Sequence, residues 1–582
     1  MTASHRTSVS NVLVIGTGGA GLRAAIAAHD AGCAVTVLGK RLRKDAHTVL
    51  AAGGINAALG TRDPEDSWQW HYADTIRDGY FLNQPAMVEA LAREAPAAVL
   101  ELAEWGCDFA RTPDGHLDQR FFGAHRYRRT CYAGDYTGRA MLYTLADRVA
   151  ALGLPVVENE YVSRLLVRDG TCFGALAFDV QSGERTVYLA DAVVLAAGGH
   201  TRLWRRSSSR RDENTGDAMM LALGAGCELA DMELVQFHPT GMTAPEEMAG
   251  TLVTEAVRGE GGILRNAGGE RFMERYDPER LELSTRDRVA LANYTEIVEG
   301  RGGPNGGVFL DISHRDKDFI LRKLPRMYRQ FLEGLMLDIS QSPMEVAPTA
   351  HYSMGGVVVD AETTATQVEG LYAAGECTSG LHGANRLGGN SLVETLVFGR
   401  RAGEHAAAYS AGLGAQLRDR AAITAASDDL SSLVREGSEM ARPLQRAIRD
   451  TMWASCGVVR SGDKLEAGLT RLSDLAEAAE RVDVRPTSEG WQDLAMALDL
   501  RGALTAAEAT LRSALARRES RGAHQRTDFP EIDPAQEVNL RVGRDAEGRQ
   551  HVRSVAVPPV PDELRAVVDD DPELALQGRL LE

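Results

Sequence analysis

A glycine pattern near the start of the chain is suited to holding a pyrophosphate. An apolar run leads into a Gly-x-Gly-x-x-Gly turn formed by Gly16, Gly18 and Gly21, with Gly19 and Ala20 inside it. Gly16 permits a tight turn, Gly18 lets the backbone approach phosphate oxygens, and Gly21 allows close packing of helix on strand. The free N–H groups at the start of the helix favour an anion. The pattern predicts a dinucleotide site, and it fits NAD, NADP and FAD.

The segments around this turn narrow the choice of dinucleotide. The second strand, at residues 34–38, is followed by Gly39 and Lys40, whereas an NAD site would place an acidic residue there for the ribose. Two later apolar segments, at residues 191–199 and 370–376, also run into glycine. Three strands that end at glycine indicate one long cofactor passing several strand ends, as FAD would.

Length and composition restrict the class of protein. A chain of 582 residues is too long for one ordinary core, so we expect roughly two to four domains. A net charge of −18 argues against nucleic acid as a partner. The seven cysteines are dispersed and form no Cys-x-x-Cys, so no metal, cluster or haem site is predicted. The first residues show no apolar run typical of a signal peptide, so secretion is not expected. No stretch approaches the roughly 18 apolar residues of a transmembrane helix, and we expect any membrane attachment to come through a partner.

Composition changes along the chain indicate further units. Residues 155–190 alternate apolar and polar side chains, which predicts a small antiparallel sheet. Residues 236–349 carry glycine clusters and many charges, and we interpret them as an inserted domain. Residues 494–515 repeat leucine at helical intervals within an alanine-rich region, so a helical domain is expected. The tail, with its prolines and the acidic run Asp569–Asp571, is expected to be extended or loosely packed.

A series of short motifs follows in order along the chain. They are His47-Thr48-Val49 before Gly53-Gly54, Asn214-Thr215-Gly216-Asp217, Gln236-Phe237-His238-Pro239-Thr240-Gly241, Leu252-Val253-Thr254-Glu255, Arg258-Gly259-Glu260-Gly261-Gly262, Thr285-Arg286-Asp287, Pro348-Thr349-Ala350-His351-Tyr352 and His382-Gly383-Ala384-Asn385-Arg386-Leu387-Gly388-Gly389-Asn390-Ser391-Leu392. In this order the motifs resemble the flavoprotein subunits of succinate dehydrogenase and fumarate reductase. The resemblance is strong over residues 10–405 and weak over residues 405–530.

The resemblance implies an α/β fold. A Rossmann-like FAD-binding domain would carry an inserted α+β capping domain and be followed by a helical domain and an irregular C-terminal region. The implied boundaries are 1–235 and 350–410 for the two parts of the FAD-binding domain, 236–349 for the capping domain, 411–522 for the helical domain and 523–582 for the C-terminal region. The capping domain is expected to act as a lid over the substrate.

The cofactor implied by the resemblance is FAD, attached covalently through a ring nitrogen of His47. Attachment at the flavin methyl group helps to raise the flavin potential, which succinate oxidation needs because succinate is a poor reductant. Glu376 is expected to bind the cofactor hydroxyls and Asp217 the adenosine part. Ser391 and Leu392 would lie at a helix N-terminus that stabilises the anionic reduced flavin. The remaining implied cofactor residues are Gly16, Gly18, Gly19, Ala20, Gly21, Lys40, Thr48, Gly53 and Gly54.

The implied substrate is a dicarboxylate, succinate or fumarate, which needs cations and hydrogen-bond donors at both ends. Arg386 can hold one carboxylate through two parallel N–H bonds, which lysine cannot do. His238, Thr254 and His351 are the other implied substrate ligands. Taken alone, His238 before a proline fits a buried structural histidine and Arg386 fits a surface salt bridge. The Phe-His-Pro-Thr-Gly setting favours the ligand role for His238.

The resemblance assigns the proton transfer of the reaction to Arg286. With a pKa above about 12, an arginine is a plausible acid in fumarate reduction and a poor base in succinate oxidation. Glu255 and Arg258 are three residues apart, would share a helix face, and match the proton relay of the family. In the alternative mechanism, Arg286 acts electrostatically and a water molecule moves the proton.

Two features of this chain depart from the family pattern. Ala52 stands beside Gly53 and Gly54, where the family usually has Gln or Glu near the flavin. This departure leaves the preferred direction of the reaction open. The second feature is a segment with five arginines, Arg202–Arg211, which fits either a solvated loop or a docking surface for an acidic partner subunit.

The resemblance therefore predicts the catalytic flavoprotein subunit of a succinate:quinone oxidoreductase. Electrons would pass to an iron–sulfur protein subunit, then to quinone through membrane anchor subunits, with this chain lying peripherally on the cytoplasmic side of the inner (plasma) membrane. The alternatives are a fumarate reductase working in reverse, a soluble L-aspartate oxidase-like enzyme, and a non-catalytic FAD-binding subunit. His47 argues against the soluble enzymes, and the complete set of site residues argues against a non-catalytic role.

Overall fold

The fold combines one large mixed sheet with several small sheets and many helices. The computed structural model describes residues 5–488 and 490–570. Its strands are β1 (Arg6–Ile15), β2 (Val35–Gly39), β3 (Ile55–Asn56), β4 (Gln119–Arg120), β5 (Thr130–Cys131), β6 (Val156–Glu158), β7 (Glu160–Arg168), β8 (Thr171–Asp179), β9 (Arg185–Leu195), β10 (Leu229–Ala230), β11 (Val235–Met242), β12 (Ile263–Arg265), β13 (Val308–Asp311), β14 (Met344–Ser353), β15 (Gly356–Val357), β16 (Leu371–Ala373), β17 (Val459–Arg460), β18 (Gln525–Arg526), β19 (Val538–Arg544) and β20 (Gln550–Ala556). Its α-helices are α1 (Gly19–Asp30), α2 (Trp68–Asp78), α3 (Pro85–Glu104), α4 (Thr137–Ala151), α5 (Asp217–Ala225), α6 (Ala256–Gly259), α7 (Met273–Tyr276), α8 (Arg286–Glu296), α9 (Lys317–Lys323), α10 (Pro325–Leu335), α11 (Asn390–Gly412), α12 (Arg420–Leu433), α13 (Ala441–Ser455), α14 (Gly462–Ala479), α15 (Gln492–Ala516) and α16 (Asp562–Asp569).

The large sheet contains both parallel and antiparallel strands. Strands β6, β2, β1 and β9 are parallel neighbours in that order. On its other edge, β9 pairs first with antiparallel β8 and then, over its last three residues, with parallel β16. The antiparallel strands predicted at residues 155–190 therefore belong to the main sheet and do not form a small sheet of their own. The reason is that β9, at 11 residues, is long enough to join both kinds of neighbour.

The glycine turn between β1 and α1 has the close contacts that its sequence predicts. Gly16 has a φ of +125°, and a Cβ there would lie 2.1 Å from the carbonyl oxygen of Ala196. A Cβ on Gly21 would lie 1.9 Å from the carbonyl oxygen of Gly16. Any side chain at either position would force the helix away from the sheet. The turn therefore brings the first amides of α1 to the carboxyl end of the parallel strands.

Apolar cores cover both faces of the large sheet. One core joins α1, α3, α4 and α11 to the sheet, and the other joins β7, β8 and β9 to α5 and the C-terminal helices. Leu498 and Leu511 of α15 belong to the same cluster as Val193 of β9 and Leu223 of α5. The predicted helical region thus packs directly on the cofactor-binding sheet and shares its core.

The capping segment has a core of its own. Strands β11, β14, β13 and β12 form an antiparallel sheet in that order. Helices α6 to α10 lie within this segment, and the buried apolar side chains run from Met242 to Val346. Because β11 and β14 continue into the rest of the chain at both ends, the capping segment is connected to the large domain by two neighbouring strands.

The C-terminal region holds more regular structure than the sequence indicated. Strands β19 and β20 form an antiparallel hairpin, and β19 also pairs with β10. Helix α16 packs near α2, where Arg77 donates hydrogen bonds to the main-chain carbonyls of Val567 and Val568. The partner strand lies about 300 residues earlier in the chain, so local composition could not reveal the pairing. Of the predicted acidic run, Asp571 lies outside the described residues.

In the part of the chain that the structure describes, no helix combines the length and apolar character needed to cross a membrane.

Candidate active site

A long cavity runs from the glycine turn to the capping segment. Its volume, including the open mouth, is about 1750 Å³. Gly21 and Arg258 do not line it, but each contacts a residue that does. The predicted site residues that line the cavity are Gly16, Gly18, Gly19, Ala20, Lys40, His47, Thr48, Gly53, Gly54, Asp217, His238, Thr254, Glu255, Arg286, His351, Glu376, Arg386, Ser391 and Leu392.

The glycine turn leaves room for a phosphate group. Gly18 is the N-cap of α1 and provides no side-chain cap. Among the described residues, the Thr48 hydroxyl, at 3.3 Å, is the one group within 4 Å that a Cβ on Gly18 would meet. The space beside Gly18 is therefore an open cradle at a helix N-terminus, and the residues present fit the pyrophosphate of a dinucleotide.

One end of the cavity carries a buried network of charged groups. Lys40 Nζ lies 3.1 Å from Asp217 Oδ2 and 2.5 Å from Asp499 Oδ1. The Tyr161 hydroxyl also donates to Asp499, at 2.9 Å. Burial raises the pKa of Asp499 to about 6, although Lys40 opposes the shift. Asp499 lies on α15 and was missed by sequence reasoning, because its position in a leucine-rich helix gives no local sign of a site residue.

Further along the cavity, Glu376 lies among polar groups near His47. Its carboxylate accepts hydrogen bonds from the Ser353 amide, at 3.1 Å, and from Asn214 Nδ2, at 3.2 and 3.3 Å. Burial raises the pKa of Glu376, partly offset by the charge of His47. His47 Nδ1 lies 3.1 Å from Glu213 Oε2. Glu376 is therefore a fixed acceptor in the middle of the cavity, as a cofactor hydroxyl requires.

The position that departs from the family pattern is apolar here. Ala52 is buried and lines the cavity with its methyl group. Nearby, the guanidinium of the half-buried Arg120 donates to the carbonyl of Gly53 and lies over the ring of Phe122. Burial lowers the pKa of Arg120 to about 10. The region next to the paired glycines thus contains a cation and no acidic side chain at residue 52.

The far end of the cavity collects donors from five separate segments. His238 lies on β11, Thr254 and Glu255 precede α6, and Arg286 is the first residue of α8. From the other part of the chain come His351 on β14 and Arg386 in the loop before α11. The site therefore lies between the capping segment and the large domain. The geometry brings together all the substrate and proton-transfer residues that the sequence predicted.

Arg286, Glu255 and Arg258 form a continuous chain of charged groups. Arg286 Nε donates to Glu255 Oε2 at 2.8 Å, and Arg286 Nη2 lies 2.7 Å from the same oxygen. Arg258 Nη2 lies 3.7 Å from that oxygen. Burial alone would raise the pKa of Glu255, but the two arginines outweigh it and hold the pKa at about 2. Glu255 is thus a buried carboxylate in a position to link two guanidinium groups.

Gln236 joins the two arginines of the site and was not recognised as a functional residue from the sequence. Its side-chain oxygen accepts a hydrogen bond from Arg286 Nη1 at 3.1 Å and another from Arg386 Nη2 at 3.0 Å. Its side-chain nitrogen donates to Asn385 Oδ1 and to the Arg386 carbonyl, both at 2.8 Å. Gln236 therefore fixes the spacing of two buried cations that would otherwise repel each other. The sequence did hold a clue to this role, because Gln236 is two residues before the predicted ligand His238 on the same strand.

Both histidines of the site are neutral donors. The amide of Thr240 donates to His238 Nδ1 at 3.2 Å, and the Thr240 carbonyl lies 3.3 Å from the same nitrogen, so the Nδ1 side of the ring is occupied by the chain itself. His351 Nδ1 lies 2.9 Å from the Ser208 hydroxyl. Burial, together with neighbouring cationic groups, lowers the pKa of each histidine well below its ordinary value. The two rings lie 5.1 Å apart between centroids, so they can offer N–H groups to one ligand without adding charge.

The charges at this end match a dicarboxylate. Arg286, Arg258 and Arg386 are cations and Glu255 is an anion, so these four groups together carry two net positive charges at this end of the cavity, with Arg258 behind the lining residues. Burial and the neighbouring Arg286 lower the pKa of Arg386 to about 9, which still leaves it charged near neutral pH. The Nε of Arg386 is buried with no hydrogen-bond partner among the described residues. A ligand with two carboxylates would neutralise the site and satisfy this donor.

The five arginines of residues 202–211 lie in different surroundings. Arg202 is half-buried, and its Nε is buried without a hydrogen-bond partner among the described residues. Arg210 bonds to Asp45 and Glu213, and Arg206 donates to main-chain carbonyls. Arg205 and Arg211 are exposed and form no ion pair within the described part of the chain. The segment is therefore partly structural, and neither a solvated loop nor a docking surface describes all of its arginines.

Comparison with known proteins identifies the class. A model of the FAD-binding domain matches residues 11–392, and a model of the fumarate reductase flavoprotein C-terminus matches residues 445–559. The chain is 45% identical to a fumarate reductase (CoM/CoB) chain of Methanothermobacter marburgensis over 92% of this chain and 97% of that protein. It is 37% identical to the succinate dehydrogenase flavoprotein subunit of Rickettsia bellii over 90% of each.

A solved structure is similar to this chain over nearly its whole length. The FrdA chain of Escherichia coli quinol fumarate reductase superimposes with a TM-score of 0.90 at 35% identity, covering 96% of this chain and 99% of that chain. Fold and site together define an FAD-dependent oxidoreductase. The chain belongs to the family of succinate dehydrogenase and fumarate reductase flavoprotein subunits. The predicted fold class and the predicted FAD are confirmed.

Proposed function

We propose that this chain oxidises succinate to fumarate as the catalytic flavoprotein subunit of a succinate:quinone oxidoreductase, with FAD attached to His47. The observation that carries the substrate class is the net charge of +2 formed by three arginines and Glu255 at the end of a cavity shared with the dinucleotide turn. When bound, FAD supplies the acceptor for the two electrons that leave the succinate carbons. The function also implies an iron–sulfur protein subunit with membrane anchor subunits beyond it.

The chain's own residues bind and orient the substrate. The guanidinium of Arg386, with its unpartnered Nε, would hold one carboxylate together with His351. His238 Nε2–H and the hydroxyl of Thr254 would hold the other. Arg286 would stabilise charge that develops on the substrate. Because these groups come from both sides of the cavity, closure of the capping segment, residues 236–349, would complete the site and exclude water.

The proton of the reaction would travel along Arg286, Glu255 and Arg258. The 2.8 Å bond from Arg286 to Glu255 and the 3.7 Å contact from Glu255 to Arg258 connect the cavity to a buried guanidinium. The low pKa of Glu255 keeps it ionised at rest, so it can accept a proton from one guanidinium and pass it to the other. We expect the Arg286→Ala variant to lose at least ~100-fold in turnover, within the range of acid–base catalysis.

Fumarate reduction is the second candidate function. It is favoured by the 45% identity to a relative named as a fumarate reductase (CoM/CoB) and by the fact that a charged arginine is a better acid than base. Turnover measured in both directions with dyes of suitable potential decides between the two. A faster rate with fumarate would make reduction the main activity, and activity with L-aspartate alone would overturn both assignments.

Acid precipitation of the purified protein tests the attachment to His47. A washed pellet that fluoresces at flavin wavelengths supports covalent FAD, and a His47→Ser variant should release all of its flavin into the supernatant. If the His47→Ser pellet remained fluorescent, the attachment would be elsewhere. We also propose that the chain lies peripherally on the cytoplasmic side of the inner (plasma) membrane, which fractionation together with its partner subunits would test.

A further inference from the structure

Among the described residues, the ring of His47 is hydrogen-bonded to one carboxylate. His47 begins a short 3-10 turn, and its Nδ1 lies 3.1 Å from Glu213 Oε2. The other carboxylate oxygen of Glu213 accepts from Arg210 Nε at 2.9 Å. Arg210 Nη2 in turn donates to the main-chain carbonyl of Asp45 at 2.6 Å. The contacts close a ring, Asp45–His47–Glu213–Arg210, that holds the histidine ring in one orientation.

The ring of contacts also determines which nitrogen of His47 is free. Burial alone would raise the pKa of Glu213, but the bonds from His47 and Arg210 outweigh it and hold the pKa at about 2. Glu213 is therefore an acceptor, and the proton shared with His47 sits on Nδ1. Among the described residues, no hydrogen bond engages Nε2 of His47, and the side chain lines the cavity. In the neutral form of His47, the Nε2 lone pair is thus available.

We propose that Glu213 is the positioning residue for covalent attachment of FAD to His47, a role that rests on the attachment proposed above. Glu213 would act through the histidine in two ways. It fixes the tautomer that exposes the Nε2 lone pair, and it stabilises the positive charge that the imidazole gains when Nε2 forms a bond. A carboxylate that orients a histidine through Nδ1 does the same work in metal sites and in hydrolase triads.

Covalent attachment of FAD is a two-electron oxidation, and fumarate is the oxidant that balances it. A C–H bond of the flavin methyl group breaks and a C–N bond to Nε2 forms. The methyl group and the imidazole Nδ1–H each release one proton, and two electrons leave. Fumarate, the product or substrate of the proposed reaction, accepts the two electrons and two protons and becomes succinate. Glu213 holds the Nδ1 proton until it is released.

Several charged or titratable groups face His47 and would influence its titration. Besides Glu213, they are Asp45, Arg210, His351 and Glu376. Burial lowers the pKa of His47, but the bond and charge of Glu213, helped by Glu376, outweigh burial and raise it. Attachment should therefore speed up as pH rises through this raised pKa, because only the neutral imidazole has a free lone pair.

The test compares attachment rates in FAD-free full-length protein given FAD and fumarate. Covalent FAD is read as flavin fluorescence of the denatured chain on a gel, and total FAD binding is measured separately. We expect Glu213→Gln to bind FAD within about threefold of wild type and to attach it at least ~tenfold more slowly. The midpoint of its pH profile should move to lower pH, since the group that raises the pKa of His47 is gone. Glu213→Asp should restore part of the rate.

A matched control is Glu158→Gln, which alters a half-buried carboxylate that binds Arg43 outside the cavity. It should attach FAD at the wild-type rate. A wild-type rate and pH profile in Glu213→Gln, with no attachment in His47→Ser, would overturn the role of Glu213 and leave the tether intact. If wild-type protein attached no FAD under these conditions or in cells, both the tether and this role would be wrong. Loss of FAD binding in Glu213→Gln and Glu213→Asp alike would show a structural role instead.

Discussion

Replacing Gln236 by glutamate would put a carboxylate between the two arginines that face the substrate. The side-chain oxygen of Gln236 now accepts from Arg286 at 3.1 Å and from Arg386 at 3.0 Å. A glutamate keeps the acceptor oxygen that both arginines use. Its second oxygen replaces the nitrogen that donates to Asn385 Oδ1 and to the Arg386 carbonyl, so the loss of these two bonds adds to the effect of the charge. The net charge at the substrate end falls from +2 to +1, and the added anion shares a guanidinium with the substrate carboxylate.

The size of the effect follows from Coulomb's law. Two carboxylates bound to opposite edges of one guanidinium lie roughly 6 Å apart, about two hydrogen-bond lengths. At an effective dielectric constant of about 20, their repulsion is roughly 3 kcal/mol. Since about 1.4 kcal/mol corresponds to a tenfold change in affinity, the full repulsion would weaken succinate binding roughly 100-fold. Relaxation of the site reduces it, and we expect a rise of roughly 10- to 100-fold in the KM for succinate with a smaller change in kcat.

The assay is steady-state succinate oxidation with an artificial electron acceptor, together with the inhibition constant of malonate, an unreactive dicarboxylate. Both constants should rise in parallel. Gln341→Glu is the control. This substitution adds the same charge to the chain, but Gln341 is exposed and lies outside the cavity. Gln236→Leu should behave differently, losing about 1–3 kcal/mol of stability because two buried donors lose their acceptor. Unchanged KM and malonate inhibition in Gln236→Glu, at normal FAD content, would refute charge matching as the basis of substrate binding.

Three further predictions follow from the same structure. Arg386→Lys should raise the KM for succinate roughly 10- to 100-fold, because lysine cannot bind a carboxylate through two parallel N–H groups; an unchanged KM would remove Arg386 from the site. Gly18→Ala should weaken FAD binding without changing the melting temperature of the FAD-free protein. Gly21→Ala should destabilise the FAD-free protein by about 1–3 kcal/mol, because its Cβ has no room. Equal melting temperatures for the two variants would contradict the tight packing at Gly21. Glu160, which accepts from Tyr188 at 3.1 Å, has its pKa raised by burial from 4.5 to about 7. The folded state therefore holds this proton more tightly, and stability is lost as pH rises from 4.5 through 7. Glu160→Gln should raise the melting temperature at about pH 8 and leave it unchanged near pH 4.5, and an equal shift at both pH values would exclude titration as the cause.

The sequence by itself was sufficient to predict the glycine turn of the cofactor site and the protein family. Gly16 and Gly21 are required by contacts within a few residues of the chain or with an adjacent strand, and such contacts leave a fixed spacing in the sequence. The same is true of Glu255 and Arg258, whose separation of three residues places them on one side of a short helix. Contacts between residues close in sequence can be predicted, because few backbone conformations allow them and each requires particular residues at a fixed spacing.

The tertiary structure alone decided how the site is held together. Gln236 lies 50 residues from Arg286 and 150 from Arg386, Glu213 lies 166 residues from His47, and Lys40 reaches Asp499 across 459 residues. The C-terminal hairpin was likewise unpredictable, since its partner strand β10 comes from a distant part of the chain. None of these pairs has a characteristic spacing. They form because packing of the helices and sheets brings them to one cavity, where a buried charge without a partner would be too unfavourable to persist.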